Sequence, residues 1–201
     1  MRKAILHLKK SDPVLCALIQ RVGPYRMQFR DPDFQSLVRS IVYQQLSGRV
    51  ASVIFARLLK LVPRKKLTPR AILKLTHEQM RSAGLSNQKA RYIRDLAEKT
   101  AAGLVDFGAM VSLSDEAVIA ELTQVKGIGV WTAHMFLMFA LRRPNVLPVG
   151  DLGIRSAIKK AYGLNDLPDS NRMVEIAEAW HPYCSVASWY LWRSLDGAGE
   201  V

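Results

Sequence analysis

Short helical patterns, each preceded by a capping residue, recur along this chain and constrain its fold more than any other feature. Apolar residues repeat at spacings of three and four in most segments, whereas the two-residue alternation typical of strands is nearly absent. The residues that favour helix N-termini ahead of these segments are Asp31, Ser47, Thr76, Ser86, Ser114 and Asp151. The pattern predicts an all-α protein of roughly ten short helices.

Two of the predicted helices flank the tripeptide Gln44-Gln45-Leu46. The first begins at Asp31-Pro32, because Asp is a good N-cap and proline is tolerated at the first helical position. The second begins after Ser47, and its apolar residues are Val50, Val53, Ile54 and Leu58. The basic stretch Arg64-Lys65-Lys66 follows this helix between two prolines, and it is interpreted as a solvated loop.

The charge of the chain favours a polyanionic partner. Its 201 residues include 29 Lys and Arg but only 17 Asp and Glu, which leaves a net charge of +12. A field of this sign is typical of proteins that bind nucleic acid. The hydrophobic content of 49% excludes a disordered chain, and the length fits one large domain or two small lobes.

The two cysteines, Cys16 and Cys184, exclude an iron–sulfur cluster that needs four thiolates, and they cannot form a zinc ribbon. They imply no disulfide framework, which favours a reducing cytoplasm. The apolar stretch near the N-terminus is too short for a signal peptide. The longest apolar run, Met135–Leu141, is far below the roughly 20 residues of a membrane span. We therefore expect a cytoplasmic monomer with no membrane partner.

The segment Leu122–Ala133 is the most informative part of the sequence. It predicts two helices joined by the turn Lys126-Gly127-Ile128-Gly129, although a plain turn without function is the alternative. Backbone amides at the start of the second helix would bind a DNA phosphate without recognising base sequence. The predicted phosphate-binding residues are Gly127, Ile128, Gly129, Val130 and Thr132. Weaker candidates for phosphate contacts are Lys89, Arg91, Arg142, Arg143 and Arg155.

Four segments together resemble the helix-hairpin-helix (HhH-GPD) DNA glycosylase superfamily, and within it the AlkA-like 3-methyladenine DNA glycosylase II branch. The first is the hairpin at 122–133. The second, Asn145–Asp151, resembles the Gly/Pro-rich loop that ends in the family's catalytic Asp. Ile41–Ser47 resembles the loop that probes the DNA, and Trp180–Trp192 resembles the C-terminal helix of this branch. The resemblance covers about residues 31–196.

The resemblance implies two helical lobes with an active-site cleft between them. The central lobe would hold residues 31–143, including the hairpin at about 115–141. The second lobe would pair residues 1–30 with residues 144–201 and would carry the catalytic Asp. In this arrangement Asp151 would face the cleft from one side and Trp131 from the other.

Asp151 is the candidate catalytic residue. Cleavage of an N-glycosidic bond develops positive charge on the sugar, and a nearby carboxylate can stabilise that charge or activate water against it. The sequence leaves both mechanisms open. Its position before a predicted helix also makes Asp151 a good N-cap, and the two roles can coexist.

A base inside a duplex must be flipped into a pocket before it can be cleaved. An N-alkylated purine can carry positive charge, which an aromatic face attracts by about 1–2 kcal/mol when the cation is desolvated. The candidate pocket residues are Trp131, Trp192, Met135 and Tyr43, with ordinary core packing as the alternative. Gln45 or Leu46 is the candidate wedge that fills the space left by the flipped base, and the sequence does not choose between them.

One departure from the family pattern bears on the reaction. Bifunctional members of the superfamily place a Lys nucleophile where this chain has Trp131, so no lyase activity is expected. The resemblance therefore implies a monofunctional DNA glycosylase that removes N-alkylated purines in base excision repair. A glycosylase for deaminated purines such as hypoxanthine is one alternative, and a non-catalytic DNA-binding hairpin protein is another.

No cofactor is expected for this reaction. The hairpin carbonyls of Thr123, Val125 and Ile128 are candidate ligands for a structural Na⁺ or K⁺ ion. The expected partner is double-stranded DNA with a damaged base, which would place the protein at the nucleoid of a bacterium or in the nucleus of a eukaryote.

Overall fold

The computed structural model describes residues 1 to 196, and every regular element within that range is a helix. Twelve α-helices are present in these residues. They are α1 (Arg2–Ser11), α2 (Pro13–Val22), α3 (Phe34–Tyr43), α4 (Gly48–Lys60), α5 (Pro69–Leu73), α6 (His77–Ser82), α7 (Asn87–Ala101), α8 (Asp115–Thr123), α9 (Val130–Phe139), α10 (Leu152–Ala161), α11 (Ser170–Ala177) and α12 (Cys184–Arg193). Short 3₁₀ turns occur at Pro63–Lys65, Ala109–Val111 and Glu178–Trp180. The all-α prediction is confirmed.

The helices form two compact units. The hairpin unit is Arg30–Phe136, and the aspartate unit combines Met1–Phe29 with the residues from Leu137 onward. The division therefore falls inside α9, whereas the sequence placed it at residue 143, after the hairpin's second helix. The reason is that the last turn of α9 packs within the aspartate unit, where Phe139 stacks on Trp192.

Within the hairpin unit, α3 packs against α4 and α7, and α5 packs along α7. The fully buried residues of this core include Leu37, Val38, Ile41, Leu58, Ile72, Ile93 and Leu96. The predicted N-caps at Ser47, Thr76, Ser86 and Ser114 are confirmed, because each side-chain oxygen accepts a hydrogen bond from a backbone N–H three residues later. These caps fix where α4, α6, α7 and α8 begin.

The predicted cap of α3 is wrong by two residues. The Oδ1 of Asp33, rather than Asp31, accepts the backbone N–H of Ser36 at 2.8 Å. The helix therefore begins at Phe34, and Pro32 precedes its N-cap. Asp31 accepts the N–H of Asp33 through its backbone carbonyl, which places it in the preceding turn.

The buried stripe of α4 also differs from the prediction. The helix buries Ala51, Ile54, Phe55 and Leu58. Val50 and Val53 are instead 47% and 45% exposed. The inward face keeps the helical spacing, but it is centred on a small alanine that hydrophobicity alone does not favour over its valine neighbours.

The aspartate unit is organised around a buried carboxylate. Asp12, which is only 5% exposed, caps α2 by accepting the N–H groups of Val14 and Leu15 at 2.8 and 3.0 Å. Its Oδ2 accepts the indole N–H of Trp180 at 2.9 Å and the hydroxyl of Tyr162. Four donors thus satisfy the carboxylate of Asp12. The last two of these hydrogen bonds join the start of α2 to residues 150 or more positions later.

The described helices give no sign of a transmembrane segment. Between residues 1 and 196, no helix combines the length and the apolar character that crossing a bilayer requires.

Candidate functional site

The predicted hairpin is present, with α8 and α9 joined by residues 124–129. The backbone N–H of Ile128 donates to the carbonyl of Val125 at 3.0 Å and closes the turn. The amides of Gly127 and Gly129 have no acceptor within residues 1–196. The first N–H groups of α9 also lack acceptors in their own helix, as at any helix N-terminus. Together these amides can receive an anion.

Two of the predicted phosphate-binding residues are placed differently from the others. The backbone N–H of Ile128 already donates within the turn, and the side chain of Ile128 is buried. Thr132 is also buried, and its hydroxyl lies 3.5 Å from the side-chain nitrogen of Gln44. Val130, in contrast, is exposed at the first position of α9. The turn therefore offers a phosphate the amides of its glycines and of α9 rather than that of Ile128.

Gly127 cannot be replaced without rearrangement, for two reasons. Its φ of +80° lies in the left-handed region that favours glycine. A Cβ atom at this position would also lie 2.0 Å from Cδ2 of Tyr92. The ring of Tyr92, on α7, thus packs directly against the backbone of the turn.

Two further side chains hold the turn in place. The carboxylate of Asp95 accepts the backbone N–H of Lys126 at 2.8 Å and the ammonium of Lys99 at 2.7 Å. The side-chain amide of Gln44 donates to the carbonyl of Gly127 at 2.9 Å. Burial opposes the ionisation of Asp95, but the hydrogen bonds from Lys99 and Lys126, with the charges of both lysines, lower its pKa below the ordinary value.

Sequence reasoning missed Gln44, Tyr92 and Asp95. Asp95 precedes its backbone partner by 31 positions, and Gln44 precedes its partner by 83. No local pattern connects residues so far apart. The only available signal was that Tyr92 and Asp95 share one face of α7, at a spacing of three.

The candidate wedge residues lie in the short loop between α3 and α4. Gln45 is exposed with a φ of +55°, and Leu46 is 38% exposed. The loop is anchored beside them, because the ammonium of Lys89 donates to the carbonyls of Val42 and Gln44 at 2.7 and 2.6 Å. Both side chains are accessible to DNA, so the choice between them stays open.

Three of the weaker phosphate candidates have other contacts. Lys89 is held by the two carbonyls at the end of α3, and burial lowers its pKa. The Nε of Arg155 donates to the carbonyl of Pro168 at 2.8 Å. The guanidinium of Arg142 lies over the ring of Phe29, at 5.1 Å from its centre. The ammonium of Lys89 has a third donor beyond these two bonds, so all three residues stay predictions as phosphate contacts.

Asp151 caps α10, as predicted. Its Oδ1 accepts the backbone N–H of Ile154 at 2.7 Å and the indole N–H of Trp192 at 2.9 Å. The residue is 7% exposed. Two donors on one oxygen fix the plane of the carboxylate at the helix N-terminus, where the dipole favours negative charge. The structure thus brings Asp151 and Trp192 into direct contact.

The surroundings of this carboxylate are tightly packed. The ring of Trp192 stacks on Phe139, with centroids 5.9 Å apart and planes 24° apart. A Cβ atom at Gly153 would lie 3.1 Å from Oδ1 of Asp151 and 3.2 Å from Cδ1 of Trp192. A side chain at this position would therefore require Asp151 or Trp192 to shift by a few tenths of an ångström, a feature that the sequence pattern did not reveal.

The other predicted pocket residues belong to the hairpin unit. Trp131 is 44% exposed, which argues against a purely structural role in the core. Met135 lies one turn further along α9 and is half-buried. Tyr43 ends α3 and carries the guanidinium of Arg39 at 4.0 Å from the centre of its ring. Each of these three stays a prediction as a contact to a flipped base.

The described residues hold no group of three or more His, Cys, Asp or Glu side chains that could bind a metal ion. The buried thiol of Cys184 has its pKa raised to about 12, mainly by burial, so it is a poor nucleophile.

The helical hairpin and the loop that ends in the capping Asp151 both lie within one segment that matches a known protein family. Residues 38–182 match the model described as "HhH-GPD superfamily base excision DNA repair protein". The match spans more than half of the chain. The chain therefore belongs to the HhH-GPD superfamily of base excision DNA repair proteins.

Particular relatives are similar over almost the whole chain. DNA-3-methyladenine glycosylase 1 of Schizosaccharomyces pombe is 34% identical over 96% of this chain and 87% of that protein. The solved structure of the same yeast's 3-methyladenine DNA glycosylase (Mag1) with abasic DNA matches with a TM-score of 0.87 and 34% identity, over 99% of each chain. The DNA-3-methyladenine glycosidase of Bacillus halodurans matches with a TM-score of 0.85 and 38% identity, over 95% of this chain and 88% of that one.

Proposed function

We propose that this protein is a monofunctional DNA glycosylase, which flips and excises N-alkylated purines of the 3-methyladenine and 7-methylguanine type in base excision repair. The similarity to 3-methyladenine glycosylases over nearly the whole chain supports this function. The observation that carries it is the carboxylate of Asp151, held on one oxygen by Ile154 and Trp192 at the start of α10.

The proposed chemistry needs a fixed negative charge. As the bond between the sugar and the base breaks, positive charge develops on the sugar. A carboxylate already oriented by two donors can stabilise that charge, or activate water against it, without first reorganising. An alkylated purine is cationic and leaves easily, so a second carboxylate acting as a general acid is not required.

Other parts of the chain would bind the DNA. The glycine amides of the hairpin and the N-terminus of α9 would hold a phosphate, and Gln45 or Leu46 would fill the space left by the flipped base. Trp131 occupies the position of the lyase nucleophile, so the reaction ends at base release. The DNA backbone is left intact.

A structural Na⁺ or K⁺ ion on the hairpin is part of this proposal, and no other cofactor is. The ligands would be the carbonyls of Thr123, Val125 and Ile128. The carbonyl of Val125 accepts one hydrogen bond, from Ile128, and a carbonyl oxygen has a second lone pair for a cation. The hydrogen bond from Ile128 therefore does not prevent the Val125 carbonyl from binding such an ion.

The test is release of free bases from methylated duplex DNA by the wild type and by Asp151→Asn. We expect the wild type to release methylated purines, and the variant to bind abasic DNA normally while kcat falls by at least about 100-fold. Asp169→Asn is the matched control, because Asp169 is an exposed carboxylate that caps α11 in the same unit. It should keep wild-type activity.

Two results would contradict the proposal. Full activity of Asp151→Asn would remove the role of the carboxylate. A wild type that binds DNA but releases neither methylated purines nor hypoxanthine would be a non-catalytic binding protein. Release of hypoxanthine in preference to methylated purines would reassign the substrate class.

A further inference from the structure

One long stretch of the chain is basic and contains no acidic residue. The 44 residues from Phe34 to His77 have no Asp or Glu. They contain nine Lys and Arg residues, which are Arg39, Arg49, Arg57, Lys60, Arg64, Lys65, Lys66, Arg70 and Lys74. Most of the excess positive charge of the protein therefore lies in this part of the hairpin unit.

Four of these cations line one pocket. A concave surface of about 510 Å³ is formed by Arg64, Lys66, Arg70 and Lys74, with Leu61, Pro63, Thr68 and Ala71 between them. All four side chains are exposed, and no carboxylate of residues 1–196 forms an ion pair with them. We call this surface the basic pocket.

The electrostatics of the basic pocket favour an anion with several negative oxygens. Four like charges without counter-charges repel one another, and a concave surface concentrates their field. Arg offers paired donors to phosphate oxygens, and Lys offers a compact charge. The sequence interpretation of residues 64–66 as a solvated loop omits this arrangement, because Arg70 lies in the next helix and Lys74 directly follows that helix.

Helix α4 connects the basic pocket to the wedge loop. It begins directly after Ser47 and ends at Lys60, just before the pocket. Its outer face carries Arg49, Val53, Ala56 and Lys60 in line at helical spacing, and all four are exposed. Thirteen helical residues span about 20 Å, which is about six base-pair steps of duplex at ~3.4 Å each.

We propose that the basic pocket is a second DNA-backbone site, which binds phosphates about six base pairs from the wedge, on one side of the lesion only. The exposed cations of α4 lie between the wedge loop and the basic pocket. This inference depends on the proposed function, because it takes damaged duplex DNA as the partner. Two contacts on one duplex would raise its affinity without any contact to base edges.

The experiment compares two variants that each lose three positive charges. The pocket variant is Arg64→Gln/Lys66→Gln/Arg70→Gln. The matched control is Arg2→Gln/Lys3→Gln/Lys10→Gln, which removes three exposed cations from α1. Binding is measured with three duplexes that contain an abasic analogue. The short duplex has about 4 base pairs on each side of the analogue, and each of the two asymmetric duplexes extends one side to about 12.

We expect the wild type to bind one of the two asymmetric duplexes about tenfold more tightly than the short one. The pocket variant should lose this preference and keep wild-type affinity for the short duplex, which also shows that it is folded. For the preferred duplex, the slope of log binding constant against log salt concentration should be smaller in magnitude by about 2–3 in this variant. Each phosphate contact that is lost accounts for ~0.9 of that slope. The control variant should keep the preference.

The inference is overturned if the wild type prefers neither asymmetric duplex, or if both variants weaken all three duplexes alike. A small-anion site would also overturn it. Such a site would bind inorganic pyrophosphate in the wild type but not in the pocket variant, with no dependence on arm length. Base release from the short duplex separates these results from the proposed function, since it tests excision and does not require the basic pocket.

Discussion

The indole of Trp192 has two roles in one side chain. Its N–H holds Oδ1 of Asp151, while its face stacks on Phe139. Loss of the N–H would leave the buried carboxylate with one fewer donor and a less fixed orientation. The residue is thus a positioning partner of Asp151 as well as a predicted contact to the base.

The substitution Trp192→Phe tests this positioning role, because it keeps an aromatic ring and removes the donor. A hydrogen bond to a charged group contributes about 1.5–3 kcal/mol, so we expect single-turnover base release to slow by about 10–100-fold. Binding to abasic DNA should change much less. Equal release rates for variant and wild type would show that the indole N–H is not needed to orient the carboxylate.

At the scale of one residue, sequence predicted those roles that have a local signature. Asp151 and Ser47 each precede a helix, and that position alone predicts their role as caps. Gln44 and Gly153 have no such signature, because their roles depend on atoms that only the fold brings near. The contacts of Lys89 have no local signature either, because its ammonium donates to carbonyls more than forty residues away.

At the scale of elements, the hairpin turn contacts α7 as well as its own helices. Tyr92 covers Gly127, and Asp95 accepts the amide of Lys126. Sequence predicted both helices and the turn between them, since glycine spacing and caps are local. It could not predict the contacts of the turn with Tyr92 and Asp95 on α7, which restrain the backbone of the turn.

We expect the stabilising effect of Asp95 to depend on pH. Its pKa is lowered in the folded protein, so its contribution is present above the unfolded value near 3.8 and is lost as pH falls through the folded value. Asp95→Asn should therefore lower Tm most at neutral pH, and the difference should shrink below about pH 4. Thermal unfolding from pH 7 to 3 measures this.

The control for Asp95 is Asp166→Asn, which alters an exposed carboxylate. Its Tm should follow the wild type across the whole pH range. A difference between Asp95→Asn and wild type that stays constant down to pH 3 would mean that the ionised form is not what stabilises the turn.

At the scale of the whole molecule, the aspartate unit is discontinuous in sequence. Asp12 contacts Tyr162 and Trp180, which lie 150 and 168 positions later. The contacts that close this unit therefore join distant parts of the chain. The sequence predicted a discontinuous lobe from the family resemblance, because helical periodicity says nothing about which helices pair.

Asp12→Ala removes an N-cap and leaves the indole N–H of Trp180 buried without its acceptor. The lost cap costs about 1 kcal/mol and the unsatisfied donor about 1–3 kcal/mol, so the free energy of unfolding should fall by about 2–4 kcal/mol. Urea unfolding measures the change. Asp169→Ala, an exposed cap, should cost only about 1 kcal/mol, and an equal cost for both would refute the role of the buried network.

The discontinuity also imposes an order on events at the ribosome. Helices α1 and α2 precede the hairpin unit in the chain, and Tyr162 and Trp180 do not yet exist when Asp12 emerges. The hairpin unit is one uninterrupted segment, so it can form its core before the later partners of α1 and α2 in the aspartate unit have been made. A nascent chain stopped soon after Phe139 would thus contain both helices of the hairpin before Asp151 has been made.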